Sequence, residues 1–132
     1  MATPVISGDG IFSHVFLGAV NIEKSVAFYD AALGALGVKN LGGFGSGWVL
    51  YGREKPAFII ARPGNGEAPS SNGVTVGFAA ATPAEVDAFH AAGLAAGGTD
   101  EGKPGSRSHL PGAYAAYLRD PAGNKICSYT FV

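Results

Sequence analysis

The 132-residue sequence is poor in cysteine and in charge. Cys127 is its single cysteine, which excludes an intrachain disulfide and is typical of a reducing compartment, so we expect a cytoplasmic location. Charged residues make up 14% of the chain, with a net charge of −1 and no cluster of lysine and arginine along the sequence. This balance gives no electrostatic basis for binding nucleic acid or an anionic membrane, so we expect neither partner.

Long hydrophobic runs are also missing. No uninterrupted run reaches the length of about 18 apolar residues that a membrane-spanning helix requires. The first ten residues, MATPVISGDG, have neither a basic region nor an apolar core, so they read as a polar lead-in and not as a signal peptide. Apolar residues nevertheless make up 47% of the chain, enough for a sizeable core, and the length favours one domain spanning residues 1–132.

Two stretches of the chain repeat one plan at an offset of 61 residues. Residues 11–37 read as an apolar strand, a turn and an amphipathic helix, and residues 72–98 follow the same order. Gly37, at the end of the first helix, corresponds to Gly98 at the end of the second. The offset predicts an internal duplication.

The duplication predicts two modules, at about 11–62 and 74–132, joined by a polar linker rich in Gly, Pro and Ser at 63–73. Each module reads as a strand, a helix and then further strands. Two such units bury their sheet faces most economically by pairing about a pseudo-twofold axis, which leaves a cleft as the natural ligand site. We therefore predict an α+β fold of two paired βαβββ modules that form a curved mixed sheet around a cleft.

Local signals place the elements within this plan. Asn21 is predicted to cap the first helix, and Thr82 the second, with Glu85 completing a capping box. Residues 42–47 read as a flexible glycine turn before a strand, and residues 99–112 as a long loop able to cover the cleft.

Three motifs carry a family resemblance. They are Ser13-His14-Val15 in the first strand, Ser25–Tyr29 with Leu33-Gly34 in the first helix, and Asp120-Pro121-Ala122-Gly123-Asn124 before the last strand. This pattern resembles the vicinal-oxygen-chelate superfamily, which includes glyoxalase I, extradiol dioxygenases and bleomycin-resistance proteins. The resemblance covers the chain from Ile11 to its C-terminus. It implies the paired-module fold, a small-molecule ligand in the cleft, and a homodimer, since small members often dimerise.

The resemblance also bears on a metal. In metal-using members, the first and last strands of each module supply ligands to one divalent ion. His14 matches the first ligand position, but Thr75 stands where the third would be His, and Cys127 where the fourth would be Glu. The second position falls within 57–62, where residues 58–61 (FIIA) offer no ligand. A catalytic site normally needs about three protein ligands, so we expect a degenerate metal site and no resident cofactor.

Three functions therefore stay open. The first is a glyoxalase/bleomycin-resistance-like protein that binds a small organic molecule in the inter-module cleft without a metal. The second is a lyase or dioxygenase with an atypical metal site that uses His14 and Cys127. The third is antibiotic sequestration, which predicts tight binding without turnover. His14 also has a plain interpretation as a satisfied strand histidine, and Cys127 as a small buried hydrophobe, because no activating neighbour for its thiol is visible.

Aromatic residues on the predicted strands are candidates for the walls of the cleft. Trp48 and Tyr51 fall on opposite faces of one strand, so both cannot face the same cleft. Tyr114 and Tyr117 are likewise on opposite faces of another strand, so at most one of them points into the cleft. Phe58 is either a core residue or part of the wall.

Two basic residues complete the candidates. Arg62 ends an apolar strand, where it would grip a ligand carboxylate or extend into solvent. His109, near Arg107 in the predicted loop, would bind an anionic ligand or act as an acid or base. The predicted pocket residues are thus His14, Trp48, Tyr51, Phe58, Arg62, Thr75, His109, Tyr114 and Cys127.

Overall fold

A computed structural model describes residues 8–45 and 47–132 of the chain; Ser46 and residues 1–7, most of the predicted lead-in, lie outside the described residues. No helix in the described part is long and apolar enough to cross a membrane. The described residues form these elements: β1 (Val15–Gly18), α1 (Ile22–Gly34), β2 (Lys39–Phe44), β3 (Trp48–Gly52), β4 (Phe58–Ala61), β5 (Thr75–Ala79), α2 (Pro83–Ala95), β6 (Thr99–Ser106), β7 (Ala113–Arg119) and β8 (Lys125–Phe131).

Each module forms its own four-stranded sheet, with the order β1-β4-β3-β2 in module 1 and β5-β8-β7-β6 in module 2. The first and last strands of each module pair in parallel, and the remaining pairs are antiparallel. This confirms the predicted α+β fold of two paired βαβββ modules, with the strands divided between two sheets.

Both helices begin where the capping residues predict. The Asn21 side chain accepts a hydrogen bond from the backbone N–H of Lys24 at 3.1 Å, and the Thr82 hydroxyl accepts one from that of Glu85 at 3.2 Å. The Glu85 carboxylate accepts from the N–H of Ala81, one residue before the cap, at 2.9 Å. The capping box is therefore present in a form shifted by one residue.

The two helices pack against each other and join the modules. Phe28 and Tyr29 of α1 are fully buried in a core that also contains Phe89 of α2 and Leu118 of β7. Gly93 of α2 faces both Phe28 and Leu118. The absence of a side chain at Gly93 lets α1, α2 and β7 approach this closely.

A buried polar cluster fastens module 2 to module 1. Asp120 opens the turn between β7 and β8, and its carboxylate accepts a 2.6 Å hydrogen bond from the Tyr29 hydroxyl and a 2.9 Å bond from the Asn124 side chain. Its Oδ1 also accepts from the backbone N–H groups of Ala122 and Asn124. The Asn124 amide donates in addition to the carbonyl of Gly18 at 2.8 Å. Burial and the neighbouring Asp120 charge raise the pKa of Tyr29.

The positions of two strands in the sequence were not predicted. The glycine turn expected at 42–47 is largely β2 and its turn, and the loop expected at 99–112 is β6 followed by a shorter loop. Both are edge strands with many exposed Gly and polar residues, so they lack the apolar alternation that marks a half-buried strand. Their bulges fall at Asn40/Gly42 and Asp100/Gly102, where the side chain of the first residue accepts the N–H of the second.

Candidate functional site

Strand alternation gives each sheet a core-facing side and an opposite side, which we call its open face. In module 1 the core-facing side includes Leu17, Tyr51, Phe58 and Ile60. Its open face carries the intervening residues, which by register are Phe16, Trp48, Leu50 and Ile59. In module 2 the same rule places Thr75, Gly77, Tyr117, Lys125, Cys127 and Tyr129 on the open face.

The open face of module 1 is apolar. Phe16 and Trp48 are 39% and 40% exposed, and their rings meet edge to face at a centroid distance of 5.5 Å. Tyr51 and Phe58 lie instead in the core, because they alternate with this face and pack against Tyr29. Burial and a 2.8 Å hydrogen bond to the Asp30 carboxylate raise the pKa of Tyr51. Of the aromatic candidates in module 1, Trp48 is therefore the one on the open face.

The open face of module 2 bears a groove of about 500 Å³. Its lining residues come from all four strands of the sheet, β5, β8, β7 and β6, and from the loop after β6. The described residues that line it are Thr75, Glu101, Gly102, Lys103, Arg107, His109, Tyr117 and Lys125.

Tyr117 lies at the centre of the groove. Its hydroxyl is hydrogen-bonded to that of Tyr129, which lies 3.5 Å from Nε2 of His109. The Arg107 guanidinium carbon and the Lys125 ammonium nitrogen lie 5.4 Å and 5.2 Å from the centroid of its ring. Burial and the hydrogen bond to Tyr129 raise the pKa of Tyr117, so its phenol is neutral at physiological pH.

Arg107 shapes the β6 edge of the groove. Its guanidinium donates hydrogen bonds to the carbonyls of Lys103, Ser106 and Gly105, at 2.8, 3.3 and 3.4 Å. These carbonyls belong to the irregular part of β6, where the register shifts between Gly102 and Gly105. Arg107 thereby fixes the backbone that presents Lys103.

The acidic residue of the groove is already paired. The Glu101 carboxylate accepts a hydrogen bond from Nε of Arg119 at 2.7 Å. Arg119 also donates to the carbonyls of Gly123 and Ser71. The negative charge of Glu101 is therefore compensated inside the protein.

Cys127 lies beside the groove, where the register sets it opposite both Gly77 and Tyr117. It is 4% exposed. Burial raises the pKa of its thiol to about 12, although the charges of Lys125 and Arg107 act in the opposite direction. A thiol that stays protonated at neutral pH is a weak nucleophile, which favours the structural interpretation of Cys127.

The other predicted pocket residues are dispersed. Thr75 and His109 lie together in the groove. His14 is exposed just before β1, with its Nδ1 2.9 Å from the Ser13 hydroxyl, and Arg62 is exposed just after β4. Tyr114 faces α2, where its hydroxyl donates to Asp87 at 2.6 Å, so Tyr117 is the β7 tyrosine that lines the groove.

Sequence reasoning missed three cationic or acidic groove residues: Lys103, Lys125 and Glu101. Lys125 precedes Cys127 by two residues, so strand alternation was a sufficient signal to place it on the same face. Lys103 and Glu101 belong to β6, whose polar sequence gave no strand signal. The pairing of β6 with β7 places both residues beside Tyr117.

The residues present do not fit the divalent metal that the alternative interpretation places at His14 and Cys127. Within one chain, and among the described residues, no three His, Cys, Asp or Glu side chains lie together as a metal-binding group. Cys127 supplies one buried thiol, and Thr75 a neutral hydroxyl where a further ligand would be needed. Such a set falls short of the nitrogen and oxygen ligands that these metals favour.

A second crevice of about 670 Å³ lies at the junction of the modules, between β1, the linker and Asn124. The linker crosses the end of β1 there, since a Cβ at Gly18 would lie 2.9 Å from the Cβ of Pro69. The described residues that line this crevice are apolar, Gly, Pro, Ser or Asn, so none of them is charged.

The paired modules and the groove beside the last strand define a protein of the glyoxalase-like class. Residues 11–127 match the model of the Glyoxalase/Bleomycin resistance protein/Dioxygenase superfamily, and the chain belongs to this superfamily.

The chain is similar to a glyoxalase/bleomycin resistance protein from Albidiferax ferrireducens T118, with 48% identity, a TM-score of 0.80, and coverage of 91% of this chain and 98% of that one. It shares the fold of a lactoylglutathione lyase from Agrobacterium tumefaciens at 21% identity and a TM-score of 0.60, with 88% and 90% of the two chains covered. No curated protein matches it.

Proposed function

We propose that this protein binds a small organic molecule in the groove on the open face of module 2, without a divalent metal. The observation that supports this most directly is the convergence of Thr75, His109, Tyr117 and Lys125 on one concave surface. Ligand sites combine an apolar or aromatic wall with a few polar groups that fix orientation, and this groove has both. The crevice at the module junction lacks charged side chains, so we assign the ligand to the groove.

The same geometry supports binding better than catalysis. Nε2 of His109 lies 3.5 Å from the Tyr129 hydroxyl, which is long for a hydrogen bond that would move a proton. Cys127 has a raised pKa and is not activated as a nucleophile. The name of the Agrobacterium structure belongs to that protein, since identity at this level carries the fold alone.

We further propose a homodimer in which a second copy covers the apolar open face of module 1. Phe16 and Trp48 expose large rings side by side on this face, a pattern common where another chain packs. Sedimentation of the Trp48→Glu variant is expected to show a smaller species than the wild type. Leu94→Glu on α2 is the matched control, because Leu94 is 41% exposed and lies outside this face. A wild-type monomer would contradict the proposal.

A thermal-shift screen over small metabolites and divalent metals tests the function. Compounds that raise the unfolding temperature are expected to lose their effect on Tyr117→Leu, which removes the centre of the groove. Tyr114→Leu is the matched control from the opposite face of the same strand, and it is expected to retain the effect. Loss of the effect in both variants, or in neither, would place the ligand elsewhere.

Metal analysis of the purified protein tests the proposal that the ligand binds without a divalent metal. We expect no stoichiometric divalent metal, because the single-chain ligand set is inadequate. A stoichiometric metal that disappears in His14→Ala would instead support a metal-dependent lyase or dioxygenase.

A further inference from the structure

The polar groups of the groove are nearly all donors or cations. Lys103, Arg107 and Lys125 contribute positive charge. The Glu101 carboxylate of the lining is bonded to Arg119, and Asp100, beside it on β6, is bonded to His90 at 2.8 Å and also interacts with the charge of Lys103. The lining thus has three cations against one carboxylate, which favours a ligand that brings negative charge.

The arrangement around Tyr117 strengthens this argument. Arg107 and Lys125 both approach its ring, so two like charges share one aromatic side chain. The ring quadrupole attracts each cation but leaves their mutual repulsion in place. An anion bound between the two cations, beside the edge of the ring, would relieve that repulsion.

The three cations have different roles. Arg107 donates hydrogen bonds from Nη1 and Nη2 to three carbonyls of β6, so it acts as a positioning residue for the groove. The ammonium groups of Lys103 and Lys125 have no hydrogen bond or ion pair to any of the described residues, and they remain available for a ligand.

The tyrosine pair adds a neutral donor. Two hydroxyls carry two protons, and the hydrogen bond between Tyr117 and Tyr129 uses one of them. When Tyr129 donates in this bond, the Tyr117 proton is left for an acceptor in the groove; when Tyr117 donates, the Tyr129 proton faces Nε2 of His109 at 3.5 Å.

We propose that the ligand of this groove carries a carboxylate or phosphate held by Lys103 and Lys125, with a flat apolar part against the Tyr117 ring. This inference rests on the proposed function and names the chemical class that the same groove takes. Benzoate, phenyl phosphate and neutral benzamide are the probes, since they share one ring and differ in charge. Titrations followed by the backbone amide signals of Gly102 and Lys125 locate binding in the groove.

We expect at least one anion to bind about tenfold or more tightly than benzamide, and the tighter anion identifies the preferred group. Lys103→Gln and Lys125→Gln are each expected to weaken that binding by about fivefold, and added salt to weaken it further. Lys55→Gln, in the exposed turn between β3 and β4, is the matched control and should change nothing.

Three results would overturn the inference. If benzamide binds as tightly as the anions, the groove does not select charge, and the proposed small-molecule function stands without the anion. If Lys103→Gln and Lys125→Gln behave like Lys55→Gln, the lysines do not hold the anion. If no probe shifts the groove signals, the inference falls, and the thermal-shift screen decides the proposed function separately.

Discussion

Replacing Gly93 by Ala has two opposing effects on stability: Ala has the higher helix propensity, but its methyl group overpacks the core. In an exposed helix interior, Gly→Ala stabilises by about 1 kcal/mol, because Ala loses less backbone entropy on folding. At Gly93 the new Cβ would collide with a methyl group of Leu118 and lie 3.2 Å from the ring of Phe28. Both neighbours are fully buried, so neither has free volume into which it can move.

Overpacking of this kind typically costs about 1–3 kcal/mol, and contacts on two sides favour the upper end. Subtracting the gain in propensity leaves Gly93→Ala less stable by about 2 kcal/mol. Urea unfolding followed by tryptophan fluorescence measures this as a lower midpoint at unchanged slope.

Gly34→Ala is the matched control. Gly34 is the last residue of α1, and a Cβ there would meet nothing within 4 Å. Its replacement is expected to leave the protein as stable or slightly more stable, by up to about 1 kcal/mol. If Gly93→Ala were as stable as Gly34→Ala, the close approach of α1, α2 and β7 would not be real.

Three further predictions concern buried or paired groups. Asp120→Ala leaves the Tyr29 hydroxyl and the turn amides without their acceptor, so it should lower the free energy of unfolding by about 3–5 kcal/mol. Tyr29→Phe removes one hydrogen bond and should lower it by about 1–2 kcal/mol. Equal losses in the two variants would contradict the shared role of the carboxylate. Cys127, with a pKa raised to about 12, should react with iodoacetamide at pH 8 far more slowly in the folded protein than in urea, and equal rates would refute its burial. Because the hydrogen bond from His90 lowers the pKa of Asp100, the stability from this pair is present above the ordinary value of 3.8 and is lost as the pH falls below it. Asp100→Asn should therefore lower the urea midpoint of unfolding at neutral pH but not in acid. A difference between the variant and the wild type that persists in acid would refute this account.

The fold was predictable because its signals are local and repeated. The capping residues Asn21 and Thr82 and the Asp120–Asn124 turn each specify a backbone conformation by themselves, and the structure confirms all three. The edge strands β2 and β6 were not predictable in the same way. Their formation depends on hydrogen bonds to a neighbouring strand and not on an apolar pattern.

The site was predictable in part for a related reason. Alternation showed that Tyr114 and Tyr117 face opposite sides of β7, but it did not say which side is covered by a helix. The covered side is set by the packing of α2. The Tyr114 hydroxyl donates a hydrogen bond to Asp87 of α2, and Tyr117, on the other side of β7, lines the groove. Lys103 belongs to β6, a strand that the sequence pattern did not predict.

The two open faces carry different residues at corresponding positions. The parallel pairing sets Phe58 opposite Val15 and Ile126 opposite Val76, so Ile59 occupies in module 1 the place that Cys127 occupies in module 2. By the same register Leu50 corresponds to Tyr117. Module 1 thus offers an apolar surface where module 2 offers a phenol flanked by cations. The two modules therefore have corresponding open faces, but the hydrogen-bond donors and cations lie on the face of module 2.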